Sequence, residues 1–245
     1  MKNERISILG TGFDNVTGSA AAETVLNEIR MRGNSVSAPF FVITPNPLMV
    51  MNARSDASAA AAFAAADLSL PDGTGIIGAA KRAGTPLPER VPGIATAEKV
   101  IAGLAARGGS VFLFGGKPGN AVLAAENLVK NYPGLVIAGV CDGYSEREEA
   151  AEKIAAARPD FLCVCLGSPA QEKWIADNRE RLRGTGCAMA LGGSVDVWAG
   201  KIRRAPRIFI ALRLEWLWRM LREPRRFRAL PVLVKFRLLT RCQRQ

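Results

Sequence analysis

The chain has 245 residues, is 49% hydrophobic and carries a net charge of +11 with no histidine. That length and apolar content allow one large α/β domain or a domain with an appendage. The missing histidine excludes Ser-His and Cys-His nucleophile systems and histidine-ligated metal sites, and leaves carboxylates, Lys, Tyr or Cys as general bases. The charge is unevenly placed. Residues 201–245 hold 14 Lys+Arg against Glu215 and Glu223, whereas residues 1–200 hold 19 Lys+Arg against 20 acids. A near-neutral body with a basic, Trp- and Leu-bearing tail suits an anionic surface. The five cysteines lack the spacing of a zinc site or a disulfide framework, and Cys163 and Cys165 alternate inside an apolar run as buried strand residues do. Met1 to Arg5 does not read as a signal peptide, and no run approaches the roughly 18 apolar residues of a spanning helix, so a cytoplasmic location is expected.

In chain order, strands are expected at Ile6–Leu9, Phe41–Thr44, Asp67–Leu70, Val111–Phe114, Val136–Val140, Phe161–Leu166 and Ala188–Leu191. Helices are expected at Thr17–Arg30, Pro47–Ala66, Thr74–Ala83, Thr96–Arg107, Asn120–Asn131, Glu146–Ala157 and Pro169–Arg183. This alternation predicts an α/β fold with a Rossmann-like, largely parallel sheet and helices on both faces. Ligands of such sheets lie at the carboxyl ends of the strands. From Arg203 the pattern turns basic and amphipathic, with a helix starting near Pro206 and stopping at Pro224. A second basic-apolar segment, Arg225 to Arg244, reads as a short helix, a kinked pair or a disordered end. The expected division is a body, 1–202, and an appendage, 203–245, whose removal leaves the body folded.

The strand ends carry the chemistry. Gly10-Thr11-Gly12 starts a dinucleotide fingerprint but Asn15 replaces its third glycine, so it reads as a strand-to-helix turn. At Thr44-Pro45-Asn46-Pro47, Asn46 either caps the next helix or, with Thr44, faces a ligand. In Pro71-Asp72-Gly73-Thr74-Gly75 the glycines permit close backbone approach. Asp72 is either an N-cap or, in a chain without histidine, the leading general base. Gly115-Gly116-Lys117-Pro118-Gly119 lacks the phosphate-loop spacing. Tyr144, after Asp142-Gly143, either stacks on a base or covers its loop. Gly167-Ser168-Pro169 ends a buried strand, with Ser168 a cap and Gln171 aimed at the strand ends. Gly192-Gly193-Ser194-Val195-Asp196 repeats that layout. Two such loops side by side suit a sugar nucleotide, with Asp196 accepting hydroxyl or imide donors, or else are two capped turns.

The ordered stretches TPNPLMVMNAR (44–54), LPDGTGII (70–77), PLPERVPGI (86–94), VFLFGGKPG (111–119), CDGY (141–144), RPDFLCVCLGSPAQEKWI (158–175), LGGSVDVWAGKIRRAP (191–206) and LEWLWRMLREPRRFRAL (214–230) resemble the WecG/TagA/CpsF family of bacterial glycosyltransferases. The likeness runs from about residue 6 to 230, leaving Lys235, Arg237, Arg241 and Arg244 as an extension. It implies an inverting, metal- and cofactor-independent transfer of a hexose or N-acetylhexosamine from a UDP-sugar to a polyprenyl-diphosphate-linked sugar, in cell-surface polysaccharide synthesis. The sugars compatible with it are N-acetylmannosamine, its uronic acid and glucose. By the same likeness Asp72 is the base and Thr44 its neighbour. Asn46, Tyr144, Gln171 and Asp196 line the nucleotide pocket, beside backbone at Gly73, Gly116, Gly167 and Gly193. The tail docks on the inner face of the membrane and offers Arg219, Arg222 and Arg226 to the leaving diphosphate. Homo-oligomerisation is also expected. Two other classes compete: a nucleic-acid-binding protein using the basic tail, against which the interleaved Trp and Leu argue, and an NAD-type oxidoreductase resting on Gly10 and Gly12.

Overall fold

The computed structural model describes residues 5–32, 36–202 and 224–242. Its centre is a six-stranded, wholly parallel sheet, in the order β4-β3-β8-β7-β5-β6. The strands are β3 (Phe40–Ile43), β4 (Leu68–Ser69), β5 (Ser110–Gly115), β6 (Val136–Cys141), β7 (Phe161–Cys165) and β8 (Cys187–Ala190). The central strands β3, β7 and β8 are buried along their whole length, as their unbroken apolar runs require. Cys163 and Cys165 are among those buried strand residues.

Helices cover both faces. One face is packed by α1 (Gly18–Arg32), α5 (Gly93–Ala105), α6 (Asn120–Asn131) and the short α9 (Ser194–Trp198), through Val25, Ile101, Leu104, Ala124 and Val195. The other is packed by α2 (Pro47–Ala53), α3 (Ala57–Ala64), α7 (Arg147–Ala157) and α8 (Ala170–Asn178), through Met49, Phe63, Ile154, Trp174 and Ile175. The chain thus leaves β5 toward one face and β7 toward the other. Adjacent strands that part in this way open a crevice at their carboxyl ends.

Three local features differ from the sequence reading. The segment around Ile6 does not join the main sheet: β1 (Ile6–Ile8) and β2 (Thr11–Phe13) form a separate antiparallel hairpin. Its two-residue turn is Leu9-Gly10, with φ of 50° and 89°, the left-handed pair that matches strand twist. Gly12 lies inside β2, so Gly10-Thr11-Gly12 is a hairpin rather than a strand-to-helix turn, and the basis of the dinucleotide reading is gone. Asp14 fastens the hairpin to β4: its Oδ2 accepts from Ser69 N–H at 2.7 Å and from Arg5 Nε at 3.1 Å. Second, the expected helix 47–66 is two helices. Asp56 caps α3 by accepting from Ala59 N–H at 3.0 Å, so the chain restarts there instead of continuing. Third, α8 stops at Asn178, short of Arg183.

The chain's last described segment is structured. A 3-10 turn, Pro224–Ala229, leads into α10 (Leu230–Cys242). Phe236 on α10 is 2% exposed and completes a third core cluster with Ile8, Phe13, Val50, Ile76 and Ala79. Thr240, also buried, accepts from Arg82 of α4 (Thr74–Arg82) at 2.8 Å. The expected helix from Pro206 lies outside the described residues. Among those residues, no helix is long and apolar enough to cross a membrane.

Candidate active site

Every strand of the sheet contributes a candidate loop to one edge. The carboxyl ends, read across the sheet, carry Asp72 (β4), Thr44 and Asn46 (β3), Gly192 to Asp196 (β8), Gly167 and Gln171 (β7), Gly116 (β5) and Tyr144 (β6). Parallel pairing alone forces this, because all six strands point the same way.

On the β3–β4 side, backbone bonds continue past the strands and zip three loops together. Leu70 N–H donates to Ile43 O at 2.8 Å, Asp72 N–H to Pro45 O at 3.2 Å, and Val91 N–H to Pro71 O at 2.8 Å. Asp72 is therefore held beside the Thr44–Asn46 loop by its own backbone. It is not the cap of α4: that position is Gly73, with φ of 96°, which has no side chain to offer. Asn46 does cap α2, its Oδ1 accepting from Leu48 N–H at 3.0 Å and Met49 N–H at 3.2 Å. The cap takes its oxygen and leaves the amide nitrogen as the part that can meet a ligand. Thr44 faces the start of α5: a Cβ on Gly93 would lie 2.9 Å from its Oγ1, so only glycine lets that helix approach so closely.

On the β5–β7–β8 side the loops also bond to one another. Gly116 N–H donates to Cys165 O at 3.3 Å, and Gly143 N–H donates to Gly116 O at 2.8 Å. A Cβ on Gly116 (φ 78°) would stand 2.8 Å from Val195 Cγ1 and 3.3 Å from Asp196 Oδ1. Asp196 Oδ1 accepts from Asn120 Nδ2 at 2.6 Å, which orients the carboxylate and leaves Oδ2 for another donor. Tyr144 is 73% exposed at the tip of its loop, free of the core and open to stacking. Gln171 is buried and accepts through Oε1 from Gly192 N–H at 2.8 Å, tying α8 to the β8 loop. Ser168, expected to cap, does not: Pro169 holds the N-cap position, and the buried Ser168 hydroxyl makes no hydrogen bond among the described residues.

Burial decides which groups can react. The Cys165 thiol, under the Gly116 turn, is pushed up to about 12 by burial, too high to supply a thiolate near neutrality. Glu172 is fully buried, and burial raises its carboxyl, with partial relief from the Gln171 amide. Gly93, Asn120 and Glu172 were not singled out by sequence. Only Glu172 left a local signal, a charged residue directly after Gln171 in a helix that packs on a buried strand. Arg219 and Arg222 lie outside the described residues; Arg226 lies on the 3-10 turn, its side chain outside them. A surface cleft of about 380 Å³ between the hairpin and α3 contains none of these residues.

The model of the glycosyl transferase WecG/TagA/CpsF family matches residues 6–245. The match continues past residue 230, so the basic end of the chain is part of the family pattern and not an extension. A protein of Bacillus spizizenii named N-acetylglucosaminyldiphosphoundecaprenol N-acetyl-beta-D-mannosaminyltransferase is 36% identical over 197 residues, 80% of this chain and 76% of that one. Proteins of the same name from Staphylococcus aureus are 31% identical. In strain MW2 the alignment covers 91% of this chain and 86% of the relative, and in strain NCTC 8325 it covers 89% and 84%. With a family match over nearly its whole length, the chain belongs to the WecG/TagA/CpsF family of glycosyltransferases.

Proposed function

We propose that the protein transfers N-acetylmannosamine, with inversion, from a UDP-sugar to a sugar linked through diphosphate to a polyprenyl lipid. The names of its relatives supply the sugar and the acceptor class. The observation that carries the site assignment is the alignment, along one sheet edge, of the Thr44–Asn46–Asp72 loops with the glycine-lined loops ending at Asp196.

In this reading the Asp72 carboxylate takes the proton of the acceptor hydroxyl as its oxygen attacks the anomeric carbon. The bond to the diphosphate breaks on the opposite face, and UDP leaves with the electron pair. Positioned proton transfer of this kind contributes about 10²–10⁴-fold. Gly116, Gly167 and Gly193 let backbone N–H groups approach the nucleotide, Asp196 Oδ2 and Gln171 offer polar contacts, and Tyr144 stacks on the base. The growing diphosphate charge falls to arginines, with Arg219, Arg222 and Arg226 the candidates. Metal independence is part of the proposal, with the countercharge to the diphosphate assigned to arginines.

The same reading places the enzyme on the cytoplasmic membrane surface. Beside the buried Phe236, α10 exposes Val234 (57%) and Leu238 (55%), with Phe227 (45%) before it and Arg228, Lys235, Arg237 and Arg241 around them. Apolar residues flanked by arginines suit an anionic bilayer better than a nucleic-acid backbone. The reaction is tested by incubating purified protein with a panel of UDP-sugars and lipid-diphosphate-linked N-acetylglucosamine, with and without EDTA. UDP release that needs both substrates, is fastest with UDP-N-acetylmannosamine and is insensitive to EDTA is expected. Release only with another donor would refute the sugar assignment, and release abolished by EDTA the metal independence.

A further inference from the structure

Glu172 is a carboxyl group in the first turn of α8, with its residue 0% exposed. Burying such a group is costly unless it is bound, and an apolar side chain of similar size would fill the space with less penalty. What the carboxyl holds is Gln171: Oε1 accepts from Gln171 Nε2 at 2.7 Å. Gln171, 3% exposed, accepts through its own oxygen from Gly192 N–H at 2.8 Å. The second carboxyl oxygen, Oε2, makes no hydrogen bond of normal geometry among the described residues, but the Ser168 hydroxyl lies near enough to the carboxyl to favour its charged form.

The two bonds set which way round the Gln171 amide sits. An amide has nearly the same shape either way, and only its hydrogen-bond partners choose. Gly192 N–H demands the oxygen, and the Glu172 carboxyl demands the nitrogen. One N–H of Nε2 is used on Glu172 and the other remains. The chain Glu172–Gln171–Gly192 also crosses from α8 to the loop that leads to Asp196, so it fixes the spacing of the two loops on either side of the β7–β8 gap.

We propose that Glu172 is a positioning residue for the donor nucleotide, holding the Gln171 amide across the β7–β8 gap so that the Gly192–Asp196 loop and α8 present a fixed set of polar groups to UDP. The proposal rests on the reading above that UDP occupies this edge of the sheet.

The test is a double-mutant cycle on full-length protein, read by UDP calorimetry and by steady-state kinetics. Glu172→Leu weakens UDP binding and raises the donor KM by about tenfold, the upper end of what one ordinary hydrogen bond contributes, with kcat within about threefold. Glu172→Gln, whose amide oxygen still accepts, restores wild-type KM. In a Gln171→Ala background Glu172→Leu adds less than about twofold, because the residue through which it acts is gone. Additive losses, or a Glu172→Leu enzyme with lowered Tm but unchanged KM, would overturn the proposal. The Gln171 side-chain amide resonances give a readout independent of nucleotide. Slow hydrogen exchange in the wild type and fast exchange in Glu172→Leu support the positioning role, and equal rates refute it. A wild type that keeps the protected amide but binds no UDP refutes the nucleotide assignment, and with it any role of Glu172 in positioning UDP.

Discussion

The ring of Phe236, on α10, lies against Gly75 at the start of α4. A Cβ built on Gly75 would stand 3.6 Å from Phe236 Cε1 and 2.7 Å from Pro47 Cγ. The C-terminal helix, the helix capped by Asn46 and the helix following Asp72 therefore meet at one point.

That meeting point makes three variants informative. Phe236→Ala removes a fully packed ring and should cost about 3–5 kcal/mol of stability. Removing residues after 203 takes the same ring away and uncovers Ile76 and Val50, so the truncated body should unfold at lower denaturant concentration than the whole chain. Gly75→Ala is the gentler probe. Its methyl group collides with Pro47 and pushes the first turns of α2 and α4 apart. Sugar transfer should fall by more than about tenfold while stability drops by only about 1–3 kcal/mol, the range for overpacking. Denaturant melts paired with UDP-release assays check all three.

Asn120→Asp sets a second carboxylate where the amide now donates to Asp196 at 2.6 Å. Two carboxylates so close cannot both ionise without cost, and one pKa rises strongly. UDP affinity should therefore fall by at least about tenfold at pH 8 and partly recover at pH 5.5, where the pair shares a proton. Calorimetry at the two pH values checks this. A pH-independent loss would show that Asn120 does not act through Asp196.

Glu172 predicts a pH dependence of stability with a definite sign. Burial raises its folded-state pKa above the ordinary value of 4.5, so the folded protein holds this proton more tightly than the unfolded chain. Its contribution is fully present below pH 4.5 and is lost as pH rises through the raised value. Glu172→Gln lacks the titration. The stability difference, variant minus wild type, should become more favourable to the variant on going from pH 4.5 to pH 8, as read by urea melts at each pH.

The sheet was legible in the sequence because its strands are short apolar runs separated by amphipathic helices, and its loops because Gly, Pro and Asp cluster where strands end. Strand order was not legible, since nothing local says that β8 inserts between β3 and β7. The hairpin was misread because Ile6–Leu9 has the same apolar signature as a sheet strand, and only its pairing with Thr11–Phe13 distinguishes it. Asn120 escaped notice for a related reason: its partner Asp196 is 76 residues away. Nothing in the basic-apolar segment 225–244 marks Phe236 off from the apolar residues around it. Its burial follows from the docking of α10 on α2 and α4, which periodicity cannot foresee.

Asp72 as the general base is the central claim, and UDP release by Asp72→Asn tests it most directly. Asparagine keeps the size of the side chain and the loop's backbone bond to Pro45 but cannot take the acceptor's proton. With UDP-N-acetylmannosamine and a lipid-diphosphate-linked N-acetylglucosamine, the account predicts at least about a 100-fold loss of kcat with UDP affinity retained. Turnover within threefold of wild type, in a variant shown to be folded, would contradict it.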